Sequence, residues 1–285
     1  MSMEVLAYAK LNLTLDVLDR RPDGYHDMKM VMQSIGLTDR ITMEPNEKGE
    51  VRSRSNLPYL PMGDKNLASA AVLTFYRSLK RPVSGWNITL DKSIPVCAGM
   101  AGGSSDAAAV LRALNRAEGE PYTAEELARV GEQIGSDVPY CVLGGTALAE
   151  GRGEVLTPLP ALPRCWVVVC KPDFSVSTPE LFRAIDSVRL RRRPDTAGVL
   201  QALDQGDLEG VARRMYNVFE DALPARLYSR MQDLKKLLIQ QGALGANMSG
   251  TGSATFGLFR EEQTAQQAAQ ILREQCADVY VCQTV

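Results

Sequence analysis

Ile94-Pro95-Val96-Cys97-Ala98-Gly99-Met100-Ala101-Gly102-Gly103-Ser104-Ser105-Asp106-Ala-Ala-Ala109 decides how this chain is read. Three glycines and two serines stand directly before an amphipathic helix, because Ala107, Val110, Leu111 and Leu114 recur at i, i+3, i+4 and i+7. Glycine opens backbone conformations that other residues resist, so successive N–H groups can converge on one small anion. The first N–H groups of a helix have no intrahelical partner and sit at the positive end of its dipole. Loop, hydroxyls and helix N-terminus in series predict a phosphate cradle. The rival is a simple cap, with Ser104 or Ser105 closing the helix after a tight turn. Three loop glycines cost more chain entropy than such a cap requires.

Other phosphate motifs are absent. No G-x-x-x-x-G-K-S/T occurs, which excludes a P-loop NTPase. Gly250-Thr-Gly252-Ser-Ala-Thr255 lacks the last glycine of the dinucleotide fingerprint and precedes a strand-like run. One histidine and no H-R-D triplet exclude a protein kinase. A net charge of −2 gives no basic field for nucleic acid or an anionic membrane, so an anionic ligand must be held by local groups. The longest apolar stretch, around 166–170, is far short of a spanning helix, and residues 1–10 lack the apolar core of a secretory signal. The expectation is a cytoplasmic protein. Six cysteines form no C-x-x-C pair and, beside a single histidine, offer little to zinc; they read as reduced thiols.

Leu11, Leu13, Leu15 and Val17 alternate with Asn12, Thr14 and Asp16, predicting a half-buried strand followed by a turn over 20–24. Further strand signals lie at 39–43, 85–90 and 142–149, and a helix is predicted over 64–77. Thr123 with Glu126 forms a capping box ahead of Leu127, Val130 and Ile134. Three prolines between 158 and 163 mark a boundary, giving an N-terminal lobe over 1–160 and a C-terminal lobe over 161–285. The second lobe opens with a strand at 166–170 and a helix over 178–188, with Thr178 as cap and Pro179 in its first turn. Helical patterns follow at 196–203, 208–219 and 227–241, then strands at 254–259 and 279–282 around a helix over 262–275. The basic cluster 189–193 reads as a solvated loop, and the glycine-rich 244–252 as a mobile one that closes near the phosphates. The fold class is α+β.

A proline followed by a glycine-rich stretch ending in Ser-Ser, as in Pro95 to Ser105, resembles the signature loop of the GHMP kinases. Gly245-Ala-Asn-Met-Ser-Gly-Thr-Gly-Ser253 is similar to the third motif of that family. Ala7-Tyr-Ala-Lys10-Leu-Asn12-Leu-Thr-Leu15, Asp23-Gly-Tyr-His26, Gly135-Ser-Asp137-Val-Pro-Tyr140 and Gly144-Gly-Thr-Ala-Leu-Ala-Glu-Gly151 resemble one of its branches, so the likeness runs from residue 7 to residue 253. The resemblance implies a two-lobed GHMP kinase fold, with a ribosomal-protein-S5-like N-terminal lobe, a ferredoxin-like C-terminal lobe and an active site in the cleft between. It implies transfer of the γ-phosphate of ATP, with Mg2+, to a hydroxyl of a small molecule carrying a cytidine diphosphate, in non-mevalonate isoprenoid synthesis.

By the same resemblance, Lys10 sits against the acceptor hydroxyl and the γ-phosphate, and Asp137 takes the hydroxyl proton. Phosphoryl transfer suits this pair, since it needs alignment, charge cancellation and only late proton removal. Asn12 bonds the substrate, Tyr25 and Phe182 sandwich the cytosine, and His26 bonds its edge. Asn66 lines the adenine pocket, and the backbone from Pro95 through Ser105 holds the phosphates. Taken singly, Lys10 reads as a solvated strand lysine, Asp137 as a turn residue and Phe182 as core. Cys97 and Met100 depart from the smaller residues of many relatives without removing an N–H. Nothing in the sequence assigns a protein ligand to the metal or an oligomeric partner. Two rivals stand beside this reading: a GHMP kinase for a mevalonate-like or homoserine-like alcohol, which has no use for a base sandwich, and a nucleotide-binding regulator that has lost catalysis.

Overall fold

The computed structural model describes residues 2–285; Met1 and the side chain of Asp64 lie outside the described residues. Along the chain come β1 (Met3–Arg20), β2 (His26–Asn46), β3 (Val51–Ser55), α1 (Leu67–Ser78), β4 (Gly85–Asp91), α2 (Gly102–Ala117), α3 (Ala124–Glu132), α4 (Val138–Leu143), β5 (Thr146–Gly151) and β6 (Val155–Pro158). Then follow β7 (Trp166–Lys171), α5 (Thr178–Ile185), α6 (Thr196–Asp204), α7 (Leu208–Arg214), β8 (Tyr216–Asn217), α8 (Ala225–Gln240), β9 (Gly245–Met248), β10 (Thr255–Phe259), α9 (Glu262–Leu272) and β11 (Asp278–Gln283). The chain divides into two compact units. One comprises the chain up to Ala9 with Thr38–Ile94 and Ala101–Gly144; the other comprises Lys10–Leu37, Pro95–Met100 and Gly145–Val285.

In the first unit the last part of β2 pairs antiparallel with β4, Arg40 opposite Asp91, and β3 runs parallel to β4. Ile41, Met43, Trp86, Ile88 and Leu90 of this sheet share one core with Val72, Phe75, Leu111, Leu114 and Leu127 from the helices. The predicted stripe of α2 is present: Ala107, Val110, Leu111 and Leu114 are fully buried. Burying the valine and two leucines contributes roughly 1.5–3 kcal/mol each, more than the ~1 kcal/mol of a cap. Packing therefore sets this helix, and no side chain caps it; Ala101, at φ 58°, precedes Gly102. By contrast α3 opens with the predicted capping box. Thr123 Oγ1 accepts from Glu126 N at 3.2 Å, and Glu126 Oε2 accepts from Thr123 N at 2.9 Å. The helix predicted from 64 begins instead as a 3-10 turn at Gly63–Lys65, followed by α1 with Asn66 as its cap. The strand predicted over 142–149 starts only at Thr146, because Val142 and Leu143 finish α4 and glycines 144 and 145 break it at φ 71° and 73°.

In the second unit β5 pairs with the first part of β2, Met28 opposite Gly151, and with β6, while β8 lies parallel to β1 with Thr14 opposite Tyr216. A four-stranded antiparallel sheet has the order β11-β7-β10-β9. Leu234 and Leu238 of α8 and Ala265, Ala269 and Leu272 of α9 pack on Val168, Cys170 and Phe259 of that sheet. The half-buried strand predicted for β1 is corrected: Asn12 and Thr14 are as fully buried as the leucines between them, since β1 has partners on both faces. The helix predicted over 208–219 ends at Arg214. The next residues join β1 as β8, and the Asn217 side-chain amide donates to Met248 O at 2.9 Å and Gly250 O at 2.7 Å. Ser177, not Thr178, is the N-cap of α5, whose last residue is Ile185; Thr178 Oγ1 instead meets Thr251 Oγ1 at 2.8 Å. The mobile loop expected over 244–252 begins as β9, buried and paired with β10.

The signature loop and the segment after β9 touch backbone to backbone. Gly99 has φ 74°, and a Cβ there would lie 2.0 Å from Ser249 O; Ser249 Oγ donates to Gly99 O at 2.9 Å, and Ala254 N to Ala98 O at 3.2 Å. Gly99→Ala is accordingly expected to destabilise by about 2 kcal/mol or more and to lower Tm by ~3 °C or more. Thermal unfolding monitored by circular dichroism checks this, and an unchanged Tm would refute the close approach.

Candidate active site

In the first unit the cradle is the first turn of α2. With no side-chain cap, the N–H groups of Gly102, Gly103 and Ser104 have no intrahelical partner. Ser104 is half-buried, but Ser105 faces inward: its Oγ donates to Tyr8 O at 2.7 Å and its N to Ala101 O at 2.8 Å. Neither serine closes the helix, so the simple-cap reading fails.

A buried ionic cluster, missed by the sequence reading, holds this turn from behind. Lys92 Nζ donates to Asp39 Oδ2 and, at 2.5 Å, to Asp106 Oδ2; Asp39 Oδ1 accepts from Ser93 N at 2.6 Å and Ile94 N at 2.8 Å. Beta strand β2, the segment after β4 and helix α2 are thereby tied at one point. Asp106 Oδ1 is buried without a partner among the described residues. Burial pushes the Asp106 carboxyl up to about 7; the Lys92 charge pulls it down and the Asp39 charge adds to the rise. One ammonium between two carboxylates leaves an excess negative charge in the core, and a proton on Asp106 removes it.

Asn66 is occupied at both ends of its amide: Oδ1 accepts from Ala68 N at 2.9 Å, and Nδ2 donates to Pro61 O at 3.0 Å. Asp137 differs. It stands at the N-cap position of α4 in a helical conformation (φ −84°, ψ −13°), half-buried, and makes no capping bond. Its carboxylate is left for another use.

In the second unit Lys10 is buried, which removes the solvated-lysine reading. Its Nζ donates to Asn12 Oδ1 at 2.6 Å, and its N donates to Met100 O at 3.2 Å. Asn12 Oδ1 also accepts from Gly250 N at 3.0 Å, and Asn12 Nδ2 points at Met30 Sδ at 3.4 Å. Lys10, Asn12, Met100 and Gly250 are thus one constellation. Residues that the sequence reading missed hold it: Asn247 Nδ2 donates to Leu13 O at 3.1 Å, and Glu220 Oε1 accepts from Met248 N at 3.2 Å and Lys235 Nζ at 2.8 Å.

The Asp23-Gly-Tyr-His26 tetrad makes the expected turn. Arg21 N donates to Tyr25 O at 2.7 Å, Gly24 N to Arg21 O at 3.0 Å, and Tyr25 N to Asp23 Oδ1 at 3.1 Å. It sends Tyr25 outward, 60 % exposed with the Arg152 guanidinium 5.5 Å from its ring centre, and His26 inward. The His26 ring stacks on Phe182 at 5.4 Å and 29°, and Phe182 meets Phe219 edge-on at 4.9 Å. His26 Nε2 lies 2.6 Å from Asp186 Oδ1. His26 and Asp186 border a cavity of about 430 Å3 that Arg192 and Arg193 also line. The basic cluster is docked, not merely solvated: Arg192 covers the Tyr216 ring at 4.3 Å, and Arg193 Nη1 donates to Asp16 Oδ1 at 2.6 Å. Cys97 is exposed, and among the described residues no two cysteines are joined in a disulfide.

Among the described residues no helix is long and apolar enough to cross a membrane. The family model described as "GHMP kinases N terminal domain" matches residues 66–145, and "GHMP kinases C terminal" matches 199–278. They define the class as a kinase with ATP as co-substrate. The chain is 42% identical over 285 residues to the 4-diphosphocytidyl-2-C-methyl-D-erythritol kinase of Lachnospira eligens, covering 99% of this chain and 98% of the relative. It is 43% identical over 284 residues to the kinase of the same name from Exiguobacterium sibiricum, covering 99% and 97%. A crystal structure of 4-(cytidine 5'-diphospho)-2C-methyl-D-erythritol kinase superposes with a TM-score of 0.81 at 35% identity, covering 99% of both chains. The chain belongs to the 4-diphosphocytidyl-2-C-methyl-D-erythritol kinase family of the GHMP kinases.

The Asp106 carboxyl makes a pH-dependent prediction. Because its folded pKa is raised, the folded state keeps a proton that the unfolded chain has lost between the ordinary carboxylate range and about 7, so this group's contribution to stability falls as pH rises through that window. Asp106→Asn keeps an acceptor for Lys92 and cannot ionise. Its Tm relative to the wild type is expected to rise from pH 5 to pH 8; an equal difference at both values would refute the assignment.

Proposed function

We propose that this chain transfers the γ-phosphate of ATP to the 2-hydroxyl of 4-diphosphocytidyl-2-C-methyl-D-erythritol, a step in non-mevalonate isoprenoid precursor synthesis, in the cytoplasm. The observation that carries the reading is the full-length identity of about 40% to kinases of that name, and the chemistry of the site supports it.

The uncapped first turn of α2 offers N–H groups and the Ser104 hydroxyl to the ATP phosphates. In this reading the loop from Pro95 to Ser105 follows the phosphates and Asn66 lines the adenine pocket. Lys10, buried beside the neutral amide of Asn12, supplies a positive charge where the transferred group becomes more negative. Asp137, free of capping duty, accepts the hydroxyl proton late in the reaction. Asn12 orients the acceptor, and Tyr25, His26 and Phe182 recognise the cytosine, the aromatic rings by stacking. Mg2+ would neutralise phosphate charge. Of the two serines in the first turn of α2 that could hold it, Ser105 donates its hydroxyl to Tyr8 O, and Ser104 makes no such bond among the described residues. Matches of the two family models on either side of residue 160 support functional lobes over 1–160 and 161–285.

Asp137→Asn is expected to lower kcat on the order of 10³-fold while the Kd for ATP changes by no more than about twofold. Steady-state kinetics and nucleotide titration check it. Full turnover in that variant would take Asp137 out of the mechanism, and a preference for an alcohol without cytidine would overturn the substrate.

A further inference from the structure

We infer that Asp186 is a specificity-determining positioning residue: it fixes the proton of His26 on Nε2, so that Nδ1 accepts from the exocyclic amino group of cytosine and disfavours the carbonyl of uracil. The inference rests on the reading of His26 as a cytosine contact given above.

Asp186 Oδ1 lies 2.6 Å from His26 Nε2, although 160 residues separate the two in the chain. A carboxylate accepts hydrogen bonds and donates none, so at that distance Nε2 carries a hydrogen. Arg20 Nη1 lies 3.7 Å from Asp186 Oδ2, on the other oxygen of the same carboxylate. With one proton on the ring, that proton is on Nε2 and Nδ1 keeps its lone pair.

The ring is fixed in orientation as well. Phe182 stacks on one face of it and is itself braced edge-on by Phe219. Phe182 is on α5, and Asp186 is the C-cap of that helix, four residues later, so both fall on one side of it. One short helix thus supplies the wall that sets the plane of the imidazole and the acceptor that sets its tautomer. Turning the ring over would break the 2.6 Å bond. Moving the proton to Nδ1 would set a lone pair against a carboxylate.

Cytosine and uracil differ at the 4 position, an amino donor in one and a carbonyl acceptor in the other. An imidazole whose free nitrogen only accepts pairs with the first and repels the second. Losing that constraint is expected to reduce the preference for the cytidine substrate over its uridine counterpart on the order of 10–100-fold.

His26 is the only histidine of the chain, so the ring-nitrogen NMR signals of a 15N-histidine-labelled sample belong to this residue alone. Two measurements are made on the full-length protein: those spectra, and kcat/KM for the cytidine substrate and for the same molecule carrying uracil. Expected are a protonated Nε2 and an unprotonated Nδ1 in the wild type, a mixture of tautomers in Asp186→Ala, and a cytidine-to-uridine ratio that falls in that variant through KM for cytidine. A wild-type ring protonated on Nδ1, or on both nitrogens at the assay pH, overturns the inference even if Asp186→Ala fails to fold. An unchanged ratio in Asp186→Ala, with cytidine binding lost in His26→Ala, overturns the role of Asp186 and leaves the cytosine contact standing. Cytidine binding undiminished in His26→Ala removes the contact itself.

Discussion

A lysine ammonium buried beside a neutral amide is the constraint on which the second unit is built. Burying a charge is costly unless it is hydrogen-bonded, and Lys10 bonds the side chain of Asn12. The same Asn12 oxygen also accepts from Gly250 N, so the segment after β9 is fixed in place by the strand that carries the lysine. That segment in turn meets the signature loop so closely that only a residue without Cβ fits at 99. Asn217, Asn247 and Glu220 then satisfy the carbonyls and amides that this crowding removes from water. Remove the buried polar face of β1, and these partners have no reason to be where they are.

Patterns confined to one element were legible in the sequence. The apolar stripe of α2, the Thr123–Glu126 box and the turn before His26 depend on residues within a few positions of each other, and each is present in the structure. Lys10 and Asn12, two positions apart on one strand, share a face for the same reason, but the hydrogen bond between them appears only in the structure. Elements that depend on a distant partner were misread. Alternation along β1 reports one apolar face; that the polar face is buried as well follows from partners elsewhere in the chain. Residues 216 and 217 look helical in isolation but join β1 as β8, and the glycine-rich 245–248 look like a loop but pair with β10. Asp39, Lys92 and Asp106 have no sequence signal, because a charged residue bound for a buried cluster reads like a solvated one. Asp186 is invisible in the same way: nothing near a helix C-terminus says that a histidine 160 positions earlier will meet it.

Helix starts distinguish places where the chain follows local rules from places where it does not. Asn66, Thr123, Asp195 and Asp207 each place a side-chain oxygen on an N–H of the first turn. Each such bond contributes about 1 kcal/mol. At α2 the cap position holds an alanine at positive φ with no oxygen to offer, and at α4 it holds an aspartate whose side chain caps nothing. Four helices are capped in the ordinary way and five, α2, α4, α5, α8 and α9, are not; among the five, α2 joins unbonded N–H groups to the glycine-rich loop before it, and α4 begins at an unspent carboxylate. Departures from local consistency concentrate where a protein does chemistry, because a group satisfied within the fold is unavailable to a ligand. The uncapped starts of α2 and α4 supply what phosphoryl transfer needs, donors for the phosphates and an acceptor for the proton of the attacking hydroxyl.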